Sequence, residues 1–308
     1  MDFYWGIDVG GMSIKGGVVS KDGQIIYKTV SKINLDALSS LDAVASDLNN
    51  YCISSGIKVN KCGIGVPCIF DKKTGTVSYG NNLDFKGVNL KERFYSLYQK
   101  ELFISNDASA AALGESKFGA GRGYKNSVLI TIGTGVGCGI IVDGKIISSN
   151  SSAVGELSHT VVSVNGRKCS CGNKGCLEAY CSMTALYKDV KREMLRNRDC
   201  SLWNFLDAYN VDGKKFFSLL GKDETADKVF DRFIKYLGIG VLNVANLLRP
   251  DIIIIGGGVS AQGKVIIDPL NQYLNKNLFA KEYTEIIPVV AAQNQNDAGI
   301  LGAAALTM

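Results

Sequence analysis

FYWGIDVGGMSIKGGVVSKDGQIIYKTV (residues 3–30) and SVLITIGTGVGCGIIVDGKIISSN (residues 127–150) carry one plan twice. Each reads as an apolar strand, a glycine-rich turn, a second strand, an Asp-Gly turn and a third strand. Asp22-Gly23 and Asp143-Gly144 both stand between apolar runs, which is a strong hairpin signal. Recurrence of the whole unit predicts an internal duplication and two lobes built alike.

The stretches around the two copies alternate strand and helix. A helix is expected near Leu41–Ser54, a strand at KCGIGVP, a helix near Leu90–Lys100 and a strand at ELFISND, followed by a small-residue helix, ASAAALGES. After the second copy come a cysteine-rich insertion over residues 155–178 and a mainly helical region. One helix is expected from Glu224 to Leu248, ended by Arg249-Pro250 because proline cannot continue it. Strand DIIIIGG, a further helix, strand EIIPVVAA and a closing helix NDAGILGAAAL complete the pattern. This order predicts an α/β protein with a smaller lobe over residues 1–118 and a larger one over 119–296, helix 297–308 packing back onto the first.

Composition narrows the function classes. The 308 residues carry a net charge of +5, with lysine and arginine scattered among acids as in KDVKREMLRNRD. A nucleic-acid binder would gather them on one face, so none is expected as a partner. The longest apolar run, DIIIIGGGV, is too short for a bilayer span, and the first residues carry acid at Asp2 and enter a strand at once. A cytoplasmic protein with no membrane partner is expected. Nine cysteines without secretory context point to metal binding or core packing rather than disulfides.

Spacing is most restrictive in CSCGNKGCLEAY. Cys169, Cys171 and Cys176 fall within eight residues, and His159, the single histidine of the chain, stands ten residues upstream. Three thiolates and one imidazole form a closed tetrahedral set suited to structural zinc, with no position left for an activated water. Glu156 and Glu178 bracket this loop, which would fix their directions. Buried acceptors of that kind suit recognition of sugar hydroxyls.

The turns DVGG (from Asp8) and GTGVG (from Gly133) each follow an apolar strand, and GGGVS (from Gly256) follows a third. Such turns let backbone N–H groups cradle phosphate oxygens, and Asp8 would suit a magnesium ion held through water. Asn106-Asp107 ends a strand and opens a helix. That segment alone admits two readings, a helix N-cap and a general base accepting a proton from an attacking hydroxyl, with the cap the simpler.

Taken together these motifs resemble the ROK family (repressors, open reading frames, kinases), most specifically through CSCGNKGCLE, and the likeness extends over the whole chain. The resemblance implies two RNase H-like lobes of the actin, Hsp70 and hexokinase type with a cleft between them. It implies Asp107 as catalytic base and Asn106 beside it as a sugar ligand. Glu156 and His159 fall on the GExGH motif, Glu178 ends the cysteine motif, and Asn82 in GNNLDF matches a sugar-contacting asparagine. Asp8, Gly10, Gly11, Ser13 and Lys15 match one phosphate turn, and Gly133, Thr134, Gly135 and Gly137 the other. Gly257 and Gly258 match an adenosine-side turn. Met12, Cys68, Phe85 and Ser158 depart from the family pattern.

The expected activity is transfer of the γ-phosphate of Mg-ATP to a hexose, first of all to C6 of glucose, by a zinc-bearing homodimer. Relatives acting on N-acetylmannosamine, N-acetylglucosamine, allose or fructose, and a non-catalytic sugar sensor, are the alternatives. Repressors of the family carry a DNA-binding segment ahead of the first phosphate turn, and seven residues before Asp8 are too few for one, so that reading is not expected.

Overall fold

The computed structural model describes residues 2–33, 36–80, 83–147, 149 and 152–308. The first copy of the repeated unit forms β1 (Phe3–Val9), β2 (Ser13–Ser20) and β3 (Ile25–Lys32). These are followed by α1 (Ala37–Ser54), β4 (Lys61–Val66), β5 (Cys68–Phe70), β6 (Val77–Gly80), α2 (Leu90–Tyr98), β7 (Glu101–Asn106) and α3 (Asp107–Phe118). The second copy forms β8 (Ser127–Ile132), β9 (Val136–Val142) and β10 (Lys145–Ile146). Beyond it lie α4 (Glu178–Cys181), α5 (Met183–Arg196), α6 (Gly213–Ser218), α7 (Glu224–Leu248), β11 (Ile252–Gly256), α8 (Lys264–Asn277), β12 (Val289–Ala291) and α9 (Ala298–Ala305).

The duplication is visible in the sheets. One has the order β3-β2-β1-β4-β7 and the other β10-β9-β8-β11-β12, so each strand of the first has a counterpart in the second. In the first sheet β1 pairs antiparallel with β2 and parallel with β4, and β4 pairs parallel with β7. The two Asp-Gly turns close differently. Asp143 and Gly144 both have positive φ (49° and 72°), the conformation of a two-residue type I′ hairpin. At the first turn only Gly23 does (81°), and Ser20 N donates to Gln24 O at 2.9 Å, which makes a three-residue loop ending on a left-handed glycine.

Helix ends follow local chemistry. Asp36 accepts from Leu38 N and Ser39 N to open α1, and Asp223 accepts from Thr225 N and Ala226 N to open α7. α7 covers the residues expected from the sequence and stops at Arg249, left-handed at φ 45°, just before Pro250. The expected strand EIIPVVAA shortens to β12, because only Val289–Ala291 pairs with β11.

Two compact units emerge: Met1–Leu129 with Cys138–Gly155 and Ala292–Met308, and Ile130–Gly137 with Glu156–Ala291. The first therefore takes in more than residues 1–118. Side-chain ties explain why residues 138–155 belong with it: Phe70 N donates to Ser152 Oγ at 3.0 Å, Lys72 Nζ to Ser149 O at 2.6 Å, and Asp143 N to Asn126 Oδ1 at 3.1 Å. Trp5, Ile7, Ile64, Phe85 and Phe94 are fully buried at the centre of the first unit's core. α9 seats almost flush on its sheet: a Cβ on Gly63 of β4 would stand 1.7 Å from Ala303 O, so only glycine permits that approach. In the second unit β11 reads Ile-Ile-Ile-Ile-Gly with every residue buried, as a central strand must be.

Candidate functional site

In the first unit the named residues converge on the carboxyl ends of three parallel strands. Asp8 of β1 is in register with Gly65 of β4, and Gly65 and Val66 with Ser105 and Asn106 of β7. Open α/β sheets bind ligands at that edge. Asn106 is the N-cap of α3, its Oδ1 accepting from Ser109 N at 3.2 Å, and Asp107 is the first helical residue. The cap reading therefore falls on Asn106. The Asp107 carboxylate lies close enough to Cys68 to add to the burial that pushes that thiol up to about 12.

Asp8, next to last in β1, lies against α9, where a Cβ on Gly299 would come within 2.4 Å of the carboxyl carbon. Burial raises the Asp8 carboxyl above the usual aspartate range, and Lys15, 3.7 Å away, offsets part of that rise. Lys15 Nζ also donates to Asn296 O at 3.5 Å. The turn itself is closed by Gly10 N donating to Ser13 O at 3.0 Å, with Gly11 and Met12 exposed. Asn82 lies outside the described residues.

The second unit holds Gly133, Thr134, Gly135, Gly137, Glu156, His159, Glu178, Gly257, Gly258 and the cysteine loop. Ligand atoms of His159, Cys169, Cys171 and Cys176 all lie within 4.8 Å of one another. Cys169 Sγ stands 3.7 Å from His159 Nδ1, and Cys171 Sγ stands 3.7 Å from Cys176 Sγ. Tetrahedral zinc with Zn–S bonds near 2.3 Å requires sulfur–sulfur edges of about 3.8 Å, so the donor set and its dimensions fit that ion. Burial pushes the Cys176 thiol up to about 12, and Cys171 and Cys169 add to it. A divalent cation would supply the charge that lets three crowded thiols ionise together.

The loop has its own brace. Arg167, two residues before Cys169, pairs with buried Asp189 of α5 at 2.9 Å, donates to Ala179 O at 3.2 Å and lies over the Tyr180 ring at 4.6 Å. Glu156 is exposed at the start of a short 3-10 turn whose last residue is His159. Glu178, first residue of α4, accepts from Val136 N at 3.1 Å and from Ser170 Oγ at 2.9 Å. The turn between β8 and β9 is held further by Met183 N donating to Gly133 O and Thr184 Oγ1 to Thr134 O. Gly257, at φ 76°, follows β11.

Sequence reasoning missed Ser170, Arg167, Asp189 and Glu115. Glu115 of α3 is fully buried and accepts from Ala120 N, Gln293 N and Asn294 N at 2.8, 3.1 and 2.7 Å. Its signal was an acid within a run of small residues, ASAAALGES.

Twin sheets of this order, each opened by a glycine-rich hairpin, define an α/β protein of the actin- and hexokinase-like class. The chain belongs to the ROK family, whose profile matches residues 4–308. It is 32% identical over 305 residues to the glucokinase of Thermotoga maritima, covering 98% of this chain and 96% of that protein. It is 27% identical over 295 residues to the xylose repressor of Bacillus subtilis, covering 94% of this chain and 73% of the repressor. A crystal structure of a ROK family glucokinase from Streptomyces griseus in complex with glucose and AMPPNP superposes with a TM-score of 0.85 at 31% identity, covering 99% and 98% of the two chains. Among the described residues, no helix is long and apolar enough to cross a membrane.

Proposed function

We propose that the chain is a cytoplasmic ATP-dependent hexose kinase that transfers the γ-phosphate to the C6 hydroxyl of glucose. The observation that carries this reading is the juxtaposition of Asp8, Asn106 and Asp107 at one edge of the first sheet, beside a glycine turn. Likeness to glucokinases over nearly the full length supports it.

In the proposed reaction Asp107 accepts the proton of the sugar hydroxyl as its oxygen bonds to the γ-phosphorus, and the bond from that phosphorus to the departing ADP oxygen breaks. Such a transition state is loose, so orientation of the hydroxyl by Asp107 and Asn106 matters more than basicity. Magnesium near Asp8 would neutralise phosphate charge. Lys15 and the backbone of Gly10, Gly11 and Ser13 in the first unit, and of Gly133, Thr134, Gly135 and Gly137 in the second, are assigned to phosphate binding. Gly257 and Gly258 are assigned to the adenosine side. Glu156, His159, Glu178 and Asn82 are assigned to sugar hydroxyls. His159, Cys169, Cys171 and Cys176 would hold zinc, which fixes the loop carrying these acceptors.

A coupled assay of ADP release against glucose, N-acetylmannosamine, N-acetylglucosamine, allose and fructose tests the proposal. Turnover fastest with glucose is expected. Another hexose in first place would replace the substrate, and sugar binding without turnover on any of them would replace the enzyme with a sugar sensor.

We further assign the chain to a homodimer, with no nucleic acid as partner. The end of α7 and residues 279–286 expose Leu247, Phe279, Tyr283 and Ile286, each more than 70% accessible. Arg249 and Asn246 join these segments by hydrogen bonds to Thr284 and to the Phe279 backbone. An apolar patch flanked by Lys276, Lys281, Glu282 and Glu285 offers both charge signs, as a self-complementary two-fold contact needs.

A further inference from the structure

One carboxylate joins the cysteine loop to the glycine turn of the second unit. Glu178 Oε1 accepts from Ser170 Oγ at 2.9 Å and lies 4.0 Å from Cys169 Sγ. Its other oxygen, Oε2, accepts from Val136 N at 3.1 Å. There is no slack on the turn side: a Cβ on Gly135 would stand 2.6 Å from Oε2. The chain after Glu178 returns to the same turn twice, through Met183 N to Gly133 O at 2.9 Å and Thr184 Oγ1 to Thr134 O at 2.6 Å. Ser170 sits between two of the cysteines, so its position follows the loop's wrapping. A carboxylate has about four acceptor sites, and these two bonds leave room for a ligand hydroxyl as well.

We infer that Glu178 is a strut through which Ser170 transmits the order of the metal loop to the Gly133–Gly137 turn, so that filling the metal site stiffens the turn. It is a positioning role, added to the sugar contact proposed above, and it rests on the zinc reading of the loop. Metal binding fixes Cys169 and with it Ser170. Ser170 holds one carboxylate oxygen, and the other holds the Val136 amide. Because that turn is assigned to phosphate, metal content becomes a control on nucleotide affinity, and by linkage nucleotide must in turn favour metal retention.

The test is amide hydrogen exchange at Val136 in the full-length protein, read with zinc bound and after removal of zinc by a chelator. Loss of one charge-assisted bond is expected to speed Val136 exchange about tenfold, while Ile253–Ile255 of β11 stay unchanged. In Ser170→Ala with zinc still bound, Val136 is expected to exchange at the fast rate already and to respond no further to the chelator. Gly135→Ala, which displaces the carboxylate from the turn side, is expected to do the same and covers the case in which the serine variant does not fold. Zinc-independent exchange at Val136 in the wild type, or an undiminished response in both variants, would overturn the strut. Zinc content measured on the same samples separates the two readings. A chain that never binds zinc removes the metal site and the strut together, whereas a zinc-bearing chain with an indifferent turn removes the strut alone.

Discussion

Asn106 caps the helix that Asp107 begins, accepting the Ser109 amide at 3.2 Å, so neighbouring residues carry the structural and the proposed chemical duty. Asp107→Asn is expected to keep sugar affinity and lower kcat by at least about a thousandfold, the scale of losing a positioned base. Asn106→Ala is expected to cost about 1 kcal/mol of stability and to raise the sugar KM. Steady-state kinetics with urea unfolding checks both, and near-normal kcat in the first variant would remove the base assignment.

Zinc should be present at about one ion per chain. Cys176→Ser, which alters the most buried of the four ligands, is expected to lose the metal and sugar turnover together. Metal analysis with a thermal scan checks this. A metal-free chain that melts and turns over like the wild type would contradict it.

Glu115→Ala should be among the most damaging single changes away from the site. It removes a fully buried carboxylate and strips three N–H groups, those of Ala120, Gln293 and Asn294, of their common acceptor. A loss of about 2–3 kcal/mol is expected, measured as a drop in the urea midpoint. Glu115→Gln keeps one acceptor oxygen and should lose less.

Asp8 predicts a pH effect with a definite sign. Its carboxyl is raised in the folded chain, mainly by burial. Between the unfolded and folded values the native state holds the extra proton, so this group's contribution to stability falls as pH rises through that window. Asp8→Asn is expected to remove that dependence and to stabilise the protein at neutral pH, while weakening Mg-ATP binding. Urea midpoints from pH 4 to pH 7.5 beside nucleotide titrations check it, and a variant less stable than wild type at neutral pH would reverse the reasoning.

The exposed patch predicts the assembly state. Phe279→Asp with Tyr283→Asp places like charges on both sides of a two-fold contact and is expected to yield monomers with an intact thermal transition. Sedimentation of wild type and variant reads it directly, and unchanged sedimentation would move the contact elsewhere.

Much of the fold was legible because the chain says it twice. The Asp-Gly turns and the glycine turns punctuate both copies, and matching sheet orders follow from them. Pro250 marked the end of α7, since stop chemistry is local, and the Asp223 cap appeared only in the structure. The division into units was less readable. Ser149 and Ser152 bind to residues 77 and 82 positions earlier, and no periodicity announces such a tie. Cysteine spacing announced the cluster of His159, Cys169, Cys171 and Cys176. Ser170 and Arg167 stayed hidden because their partners are fixed only once the loop has wrapped. Which of Asn106 and Asp107 caps α3 could not be read until the first helical residue was located.

The flush seating of α9 on the first sheet bears on how the chain comes off the ribosome. Residues 3–129 supply most of the unit that α9 completes, yet Ala298–Ala305 emerge only after the whole second unit has been synthesised. Until then the groove beside Gly63 stays open and Asp8 lacks its neighbour Gly299. The first unit to be made is therefore the last to close, and that interval is when chaperones and proteases have their opportunity.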